Sequence, residues 1–135
     1  MSLKDRIILI PRQRREDTRG WLLKILDGGE LGIPAHPGEA YVTLAHPGQI
    51  RGGHYHRRTH EWFTVLAGQA EVRLADPGAG EQLILHLCAS EPVTLFVPAG
   101  VAHSFGNGSA TESLLLAAYA SERYDPADTV LHEWH

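Results

Sequence analysis

Glycine and proline interrupt this chain so often that long regular elements have little room to form. Its 135 residues include 14 glycines and 8 prolines, spread throughout. Asp27-Gly28-Gly29, His36-Pro37-Gly38, His46-Pro47-Gly48, Gly52-Gly53, Asp76-Pro77-Gly78, Pro98-Ala99-Gly100 and Gly106-Asn107-Gly108 all read as turns or loops. The segments between them are short and apolar or alternating. Residues 6–10, 21–26, 40–45, 61–66, 70–74, 82–88, 93–97 and 113–120 are strand candidates. Gln69 to Leu74 alternates as a half-buried strand should, and Ala67-Gly68-Gln69 closes a hairpin. Residues 113–120 have helix-compatible composition but no polar face, which favours a buried strand. One short helical turn is expected at Asp125-Pro126-Ala127-Asp128. Many short strands at this spacing mean an all-β sandwich or barrel.

The length suits one domain with a real core, and neither an internal repeat nor a low-complexity segment divides it. A net charge of −4 argues against nucleic-acid and anionic-membrane partners. Arg12, Arg14 and Arg15 form one basic cluster, read as a solvated loop. Cys88 is the only cysteine, so an intrachain disulfide is excluded. Its apolar setting makes it a small core residue. No apolar run approaches the roughly 18 residues of a membrane helix, and no signal pattern opens the chain. The expectation is a cytoplasmic protein.

Chemistry concentrates in two blocks. The first runs Gly48, His54-Tyr55-His56, Glu61, Gly68. The second runs Pro98-Ala99-Gly100, His103, Asn107. On a strand His54 and His56, two apart, would point to the same face. Three imidazoles and a carboxylate, His54, His56, Glu61 and His103, are the ligand set of a catalytic transition-metal site. Zinc is the first candidate, with nickel, iron and manganese behind it.

These paired blocks resemble the two motifs of the cupin superfamily, which implies a small jelly-roll barrel. One position departs: Pro92 stands where the family has glycine. Arg51-Gly52-Gly53-His54-Tyr55-His56 resembles the Arg-Gly-x-His segment of cupins that act on keto-deoxysugar nucleotides. Asp17-Thr18-Arg19-Gly20-Trp21 is similar to a segment of dTDP-4-dehydrorhamnose 3,5-epimerases and dTDP-sugar 3,4-ketoisomerases. Ala120 to Pro126 is similar to their ending, and to that of the cupin domain of bifunctional capsular-polysaccharide reductase–epimerases. The last group matches best, because it shares Arg-Gly-Gly-His-Tyr-His and the glutamate. The rhamnose-type catalytic tyrosine falls on Ala118, with Tyr119 facing the other side of its strand.

The resemblance implies a single cupin domain over 1–135, with 1–30 as an N-terminal strand extension, and a homodimer paired through N-terminal strands. It also implies an isomerase or epimerase of a nucleotide sugar in surface-polysaccharide biosynthesis. Such an enzyme removes a proton beside a ketone, which calls for a base titrating near working pH and positive charge at the ketone oxygen. Arg51, Arg19 and Arg57 are the candidates for the substrate's pyrophosphate. His54 carries two incompatible roles, because a metal-bound imidazole has no lone pair left to accept a proton. If His54 is a ligand, His60 and Tyr41 are the alternative catalytic groups. His36, His46, His86 and His132 are read as structural or exposed, and Trp21, Trp62 and Phe63 as core. Two other readings stay open: a metal-dependent oxygenase or other small-molecule cupin enzyme, and a non-catalytic sugar-binding cupin.

Overall fold

The computed structural model describes residues 1–30 and 38–134. His36 and most of its expected turn lie outside that set. A short helix, α1 (Leu3–Arg6), leads into twelve strands. They are β1 (Ile8–Pro11), β2 (Arg14–Asp17), β3 (Gly20–Leu23), β4 (Glu39–Ala45), β5 (Ile50–His56), β6 (Glu61–Ala67), β7 (Gln69–Ala75), β8 (Gln82–Cys88), β9 (Val93–Val97), β10 (Ala102–Gly106), β11 (Leu114–Ala120) and β12 (Thr129–Leu131). A 3-10 turn, Pro126–Asp128, sits where the Asp125-Pro126 pair predicts it, and the Asp125 side chain caps it.

Two antiparallel five-stranded sheets pack face to face, in the orders β1-β9-β6-β11-β4 and β12-β5-β10-β7-β8. This is the jelly-roll barrel of the cupins. Alternating residues of both sheets fill it. Phe63 and Val65 from β6, Val72 and Leu74 from β7, Leu95 and Val97 from β9, Phe105 from β10, and Leu114 and Leu116 from β11 form one core. Leu3 of α1 plugs the barrel, and its backbone N–H donates to Glu81.

The sequence misses four of the twelve strands. β5 and β10 carry glycine and polar side chains and owe their extended form to the ladders they enter. β12 forms only by pairing with β5, and β2 only by pairing with β3. The expected strand at 6–10 loses its first residue to α1.

Three local expectations are corrected. Cys88 ends β8 half-buried beside the Ser90 hydroxyl, outside the core. Trp21 is 51% exposed on the β2–β3 hairpin, with the Arg14 guanidinium over its ring, while Trp62 and Phe63 are buried as expected. The Arg12–Arg15 cluster is not a solvated loop. Arg14 donates to the Ala89 carbonyl, and the Arg12 guanidinium reaches the Thr94 hydroxyl, the Ile25 carbonyl and, at 2.8 Å, Glu30.

Arg12 and Glu30 have only 9% and 18% of their side-chain surface exposed, so solvent screens this pair weakly. The Arg12 hydrogen bond holds the Glu30 carboxyl below its ordinary range, outweighing burial. A depressed carboxyl contributes stability above its unfolded pKa and loses it as pH falls through the folded value. Glu30→Gln is therefore expected to cost about 1–2 kcal/mol near neutrality. The difference in melting temperature should close as pH drops below the carboxylate range; a gap that persists in acid refutes the ionic contribution.

Candidate active site

Close contact between β5 and β10 builds the site. Their register places His103 opposite His54, and the ladder slips immediately after His103. A Cβ on Gly52 would lie 2.8 Å from the His103 carbonyl oxygen, so only glycine admits this approach. Gly52 and Gly53 both have positive φ, 87° and 91°, which turns β5 just before its histidines. His54 and His56 then face inward together, and Glu61 enters from the start of the neighbouring β6.

The four predicted ligands do converge. One donor atom from each of His54, His56, Glu61 and His103 lies within 4.8 Å of the others. The Oε1 of Glu61 stands 2.8 Å from His56 Nε2 and 3.3 Å from His103 Nε2. It is buried, yet no hydrogen bond satisfies it. The other oxygen, Oε2, accepts from the Tyr41 hydroxyl at 2.7 Å.

The far nitrogens explain that orphan oxygen. His103 Nδ1 faces the Val101 carbonyl at 3.1 Å, an acceptor, so Nδ1 holds the proton and Nε2 a lone pair. His56 Nδ1 lies 3.3 Å from the Thr129 hydroxyl. The lone pair of His103 Nε2 thus converges with a carboxylate oxygen 3.3 Å away, beside the second imidazole of His56. Such a set repels itself unless a cation sits among its members, and imidazole with carboxylate suits a divalent transition metal. The residues present fit that group.

His54 differs from the other three. Among the described residues no hydrogen bond holds its ring, which meets only the other two imidazoles, with centroids 4.8 and 5.0 Å away. Burial, and then the neighbouring charges on His103 and His56, push its pKa down to about 4, so it is neutral at working pH. Burial opposes charge on His56 as well, but Glu61 outweighs it and raises His56. Burial opposes ionisation of Glu61, and the two imidazoles with Tyr41 overcome it, leaving a carboxylate. Burial and then Glu61 drive the Tyr41 phenol well above its usual range, so it keeps its proton.

Two cavities meet here. One of about 200 Å³ lies toward Glu39, Glu122, Tyr124 and Asp125. The other, about 190 Å³, runs past Arg51, Thr43, Phe63 and His103. Tyr41 and His54 line both.

Other candidates fare differently. Arg51 reaches the second cavity, its Nε donating to the Leu44 carbonyl. Arg57 is exposed and donates to the Ala127 carbonyl. Arg19 sits on the β2–β3 turn, 2.6 Å from Asp17, and lines neither cavity. His60 stays away from the cluster. Its Nδ1 accepts from the Ala99 backbone N–H at 2.9 Å and its ring packs on Phe96, so its neutral form offers no lone pair for a substrate proton. Thr129 and Asp128 were not legible as site residues, because the chain places them 70 or more residues from their partners His56 and Arg58. The Asp125-Pro126 turn was their only signal.

Fold and site together define a small cupin with a pocket lined by three imidazoles and a carboxylate. The chain belongs to the family of the polysaccharide biosynthesis C-terminal domain, whose model matches residues 15–130. The spore coat polysaccharide biosynthesis protein SpsL of Bacillus subtilis (strain 168) is 28% identical over 97 residues, 68% of this chain and 64% of that protein. The match thus spans less than two thirds of that relative. QdtA, a sugar 3,4-ketoisomerase from Thermoanaerobacterium thermosaccharolyticum solved with TDP, superposes with a TM-score of 0.74 at 25% identity, covering 93% of this chain and 87% of that one. ChmJ, a 3'-monoepimerase from Streptomyces bikiniensis solved with dTDP-quinovose, shares the fold with a TM-score of 0.80 at 20% identity, over 92% and 68% of the two chains.

Dialysis against zinc followed by elemental analysis should give about one ion per chain, as one such ligand set holds. His103→Ala and Glu61→Gln should each abolish stoichiometric binding without unfolding the barrel. Wild-type protein that retains no zinc, nickel, iron or manganese would refute the metal assignment.

Proposed function

We propose that this protein is an isomerase or epimerase of a keto-deoxysugar nucleotide, moving a proton on a carbon next to the ketone, in polysaccharide biosynthesis. One observation carries the reading: the His54 ring has no hydrogen-bond partner among the described residues and stands where two cavities meet. A base needs an available lone pair, and His54 is the ring at the site that the surrounding structure leaves unanchored. His56, Glu61 and His103 would hold the cation, and their mixed nitrogen and oxygen chemistry suits zinc. When bound, the ion supplies Lewis-acid stabilisation for negative charge developing on the ketone oxygen. The similarity to QdtA, a sugar 3,4-ketoisomerase solved with TDP, supports the substrate class, as does the similarity to SpsL, a spore coat polysaccharide biosynthesis protein.

Each chain residue then has a task. His54 takes the ring proton and can return it. Tyr41 keeps its phenol proton, fixes Glu61 by donating that proton to Oε2, and lines both cavities. Its position accounts for Ala118: in the β4–β11 ladder Tyr41 lies directly opposite Ala118, so the neighbouring strand delivers a phenol to the interior where β11 has only a methyl group. Arg51 supplies a fork for phosphate oxygens at the second cavity. Arg57, near the 3-10 turn, is the outer candidate for the same group. The reading includes a homodimer, with the β2–β3 hairpin (Trp21 and Leu22 are 51% and 63% exposed) carrying Arg19 at the N-terminal extension. A monomer mass at micromolar concentration in sedimentation equilibrium refutes that part.

In deuterated water with a 4-keto-6-deoxy sugar nucleotide, the purified protein should place deuterium on a carbon beside the ketone. His54→Asn should slow that exchange by about 10²–10⁴-fold, the usual worth of a positioned base, and keep its metal. No deuterium uptake with several such substrates overturns the function. Loss of metal in His54→Asn makes His54 a ligand and overturns its role as base.

A further inference from the structure

We infer that Glu39, at the start of β4, is a specificity-determining residue: its carboxylate accepts from a hydroxyl or ammonium group on the sugar and so directs the diphosphate to the other cavity. The inference rests on the reading of the protein as a sugar-nucleotide enzyme. Size comes first. The two cavities at His54 have about 200 and 190 Å³, and neither reaches the roughly 300–1,000 Å³ of a pocket that encloses a drug-sized ligand. A nucleotide sugar is no smaller than that, so it extends through both cavities, past the His54 that lines each of them. Charge then sets the direction. Among the described residues, the wall of the second cavity has Arg51 and no carboxylate. The wall of the first has Glu39, Glu61, Glu122, Asp125 and Asp128, and no lysine or arginine among the described residues. A diphosphate is repelled from the first cavity and meets its fork in the second.

Elimination within the first cavity leaves one group. The Arg58 guanidinium, outside the wall, stands 3.1 Å from Asp125, 3.5 Å from Asp128 and 3.9 Å from Glu122. Asp128 also accepts from the Thr59 hydroxyl, and Tyr41 donates to Glu61 Oε2. The remaining Glu61 oxygen is buried without a hydrogen bond and faces the imidazoles, where the cation belongs. Glu39 has no such relief: among the described residues neither a hydrogen bond nor an ion pair holds its carboxylate. It is half-buried, and with Tyr41, two residues on, it shares the inward face of β4 and lines the cavity. The register sets it opposite Ala120, whose methyl group offers no donor. A carboxylate held partly out of water costs free energy until donors replace the lost solvent. Because a carboxylate only accepts, the ligand must bring the donor. Sugar hydroxyls or an ammonium substituent can do so, and ionised phosphate oxygens cannot.

Calorimetric titration with dTDP and with dTDP-quinovose tests this. The second is a 6-deoxy sugar nucleotide without a ketone, so binding is read without turnover. Glu39→Ala should weaken dTDP-quinovose by about 10–100-fold, as loss of a hydrogen bond to a charged group does, and leave dTDP within about threefold of wild type. Arg51→Ala should weaken both. Glu39→Lys should bind dTDP more tightly than wild type, a gain that misfolding cannot produce. An analogue of dTDP-quinovose with an amine in place of the 3-hydroxyl separates the two donors. Tighter binding than dTDP-quinovose, lost in Glu39→Gln, makes the donor an ammonium; any other result makes it a hydroxyl. Equal weakening of dTDP and dTDP-quinovose in Glu39→Ala, no change in either, or no gain for dTDP in Glu39→Lys overturns the inference alone. Wild-type protein that binds neither nucleotide overturns the sugar-nucleotide reading, and this inference with it.

Discussion

A carboxylate buried inside a barrel is the constraint on which this site depends. Glu61 stands at the start of β6 with 4% of its side chain exposed. Removing such a charge from water costs several kcal/mol unless partners replace the solvent. Tyr41 serves one oxygen; the other meets two imidazoles and is left without a hydrogen bond. The unmet demand of that oxygen dictates what belongs beside it. It also explains the neighbours: His56 and His103 must be held by their far nitrogens, and the phenol of Tyr41 must stay protonated.

The backbone is shaped to deliver those partners. Two positive-φ glycines turn β5, and the absence of a Cβ on Gly52 lets β10 come within bonding range. The C-terminal turn then closes over β5, tying residues 125–129 to residues 56–59. Binding, orientation and closure thus fall to three segments far apart in the chain, a common arrangement in a jelly roll, where neighbouring strands are rarely consecutive.

The legible part of the site was the part written as spacing. His54 and His56 share a strand face because they are two apart, and the paired glycine- and proline-bounded blocks placed Glu61 and His103 with them. His60 was misleading for the same reason: it lies one residue from Glu61, but the strand sends it to the other side, onto the Ala99 N–H and Phe96. Arg12 read as a loop residue because charge density is all that sequence displays; its carbonyl and carboxylate partners come from residues 25 and 30. The strands β5, β10 and β12 were hidden because their extended form is imposed by the ladders on either side and not by their own composition.

The sequence by itself determined the all-β architecture and the identity of the four converging side chains, since turn punctuation and residue spacing are local properties. Tertiary structure decided the rest. Only the cross-strand register put Tyr41 opposite Ala118 and Thr129 opposite His56, and only the buried Glu61 carboxylate, which reaches His56 and His103 but makes no bond to His54, set His54 apart. Register and burial arise from strands distant in sequence, so no local pattern could carry them.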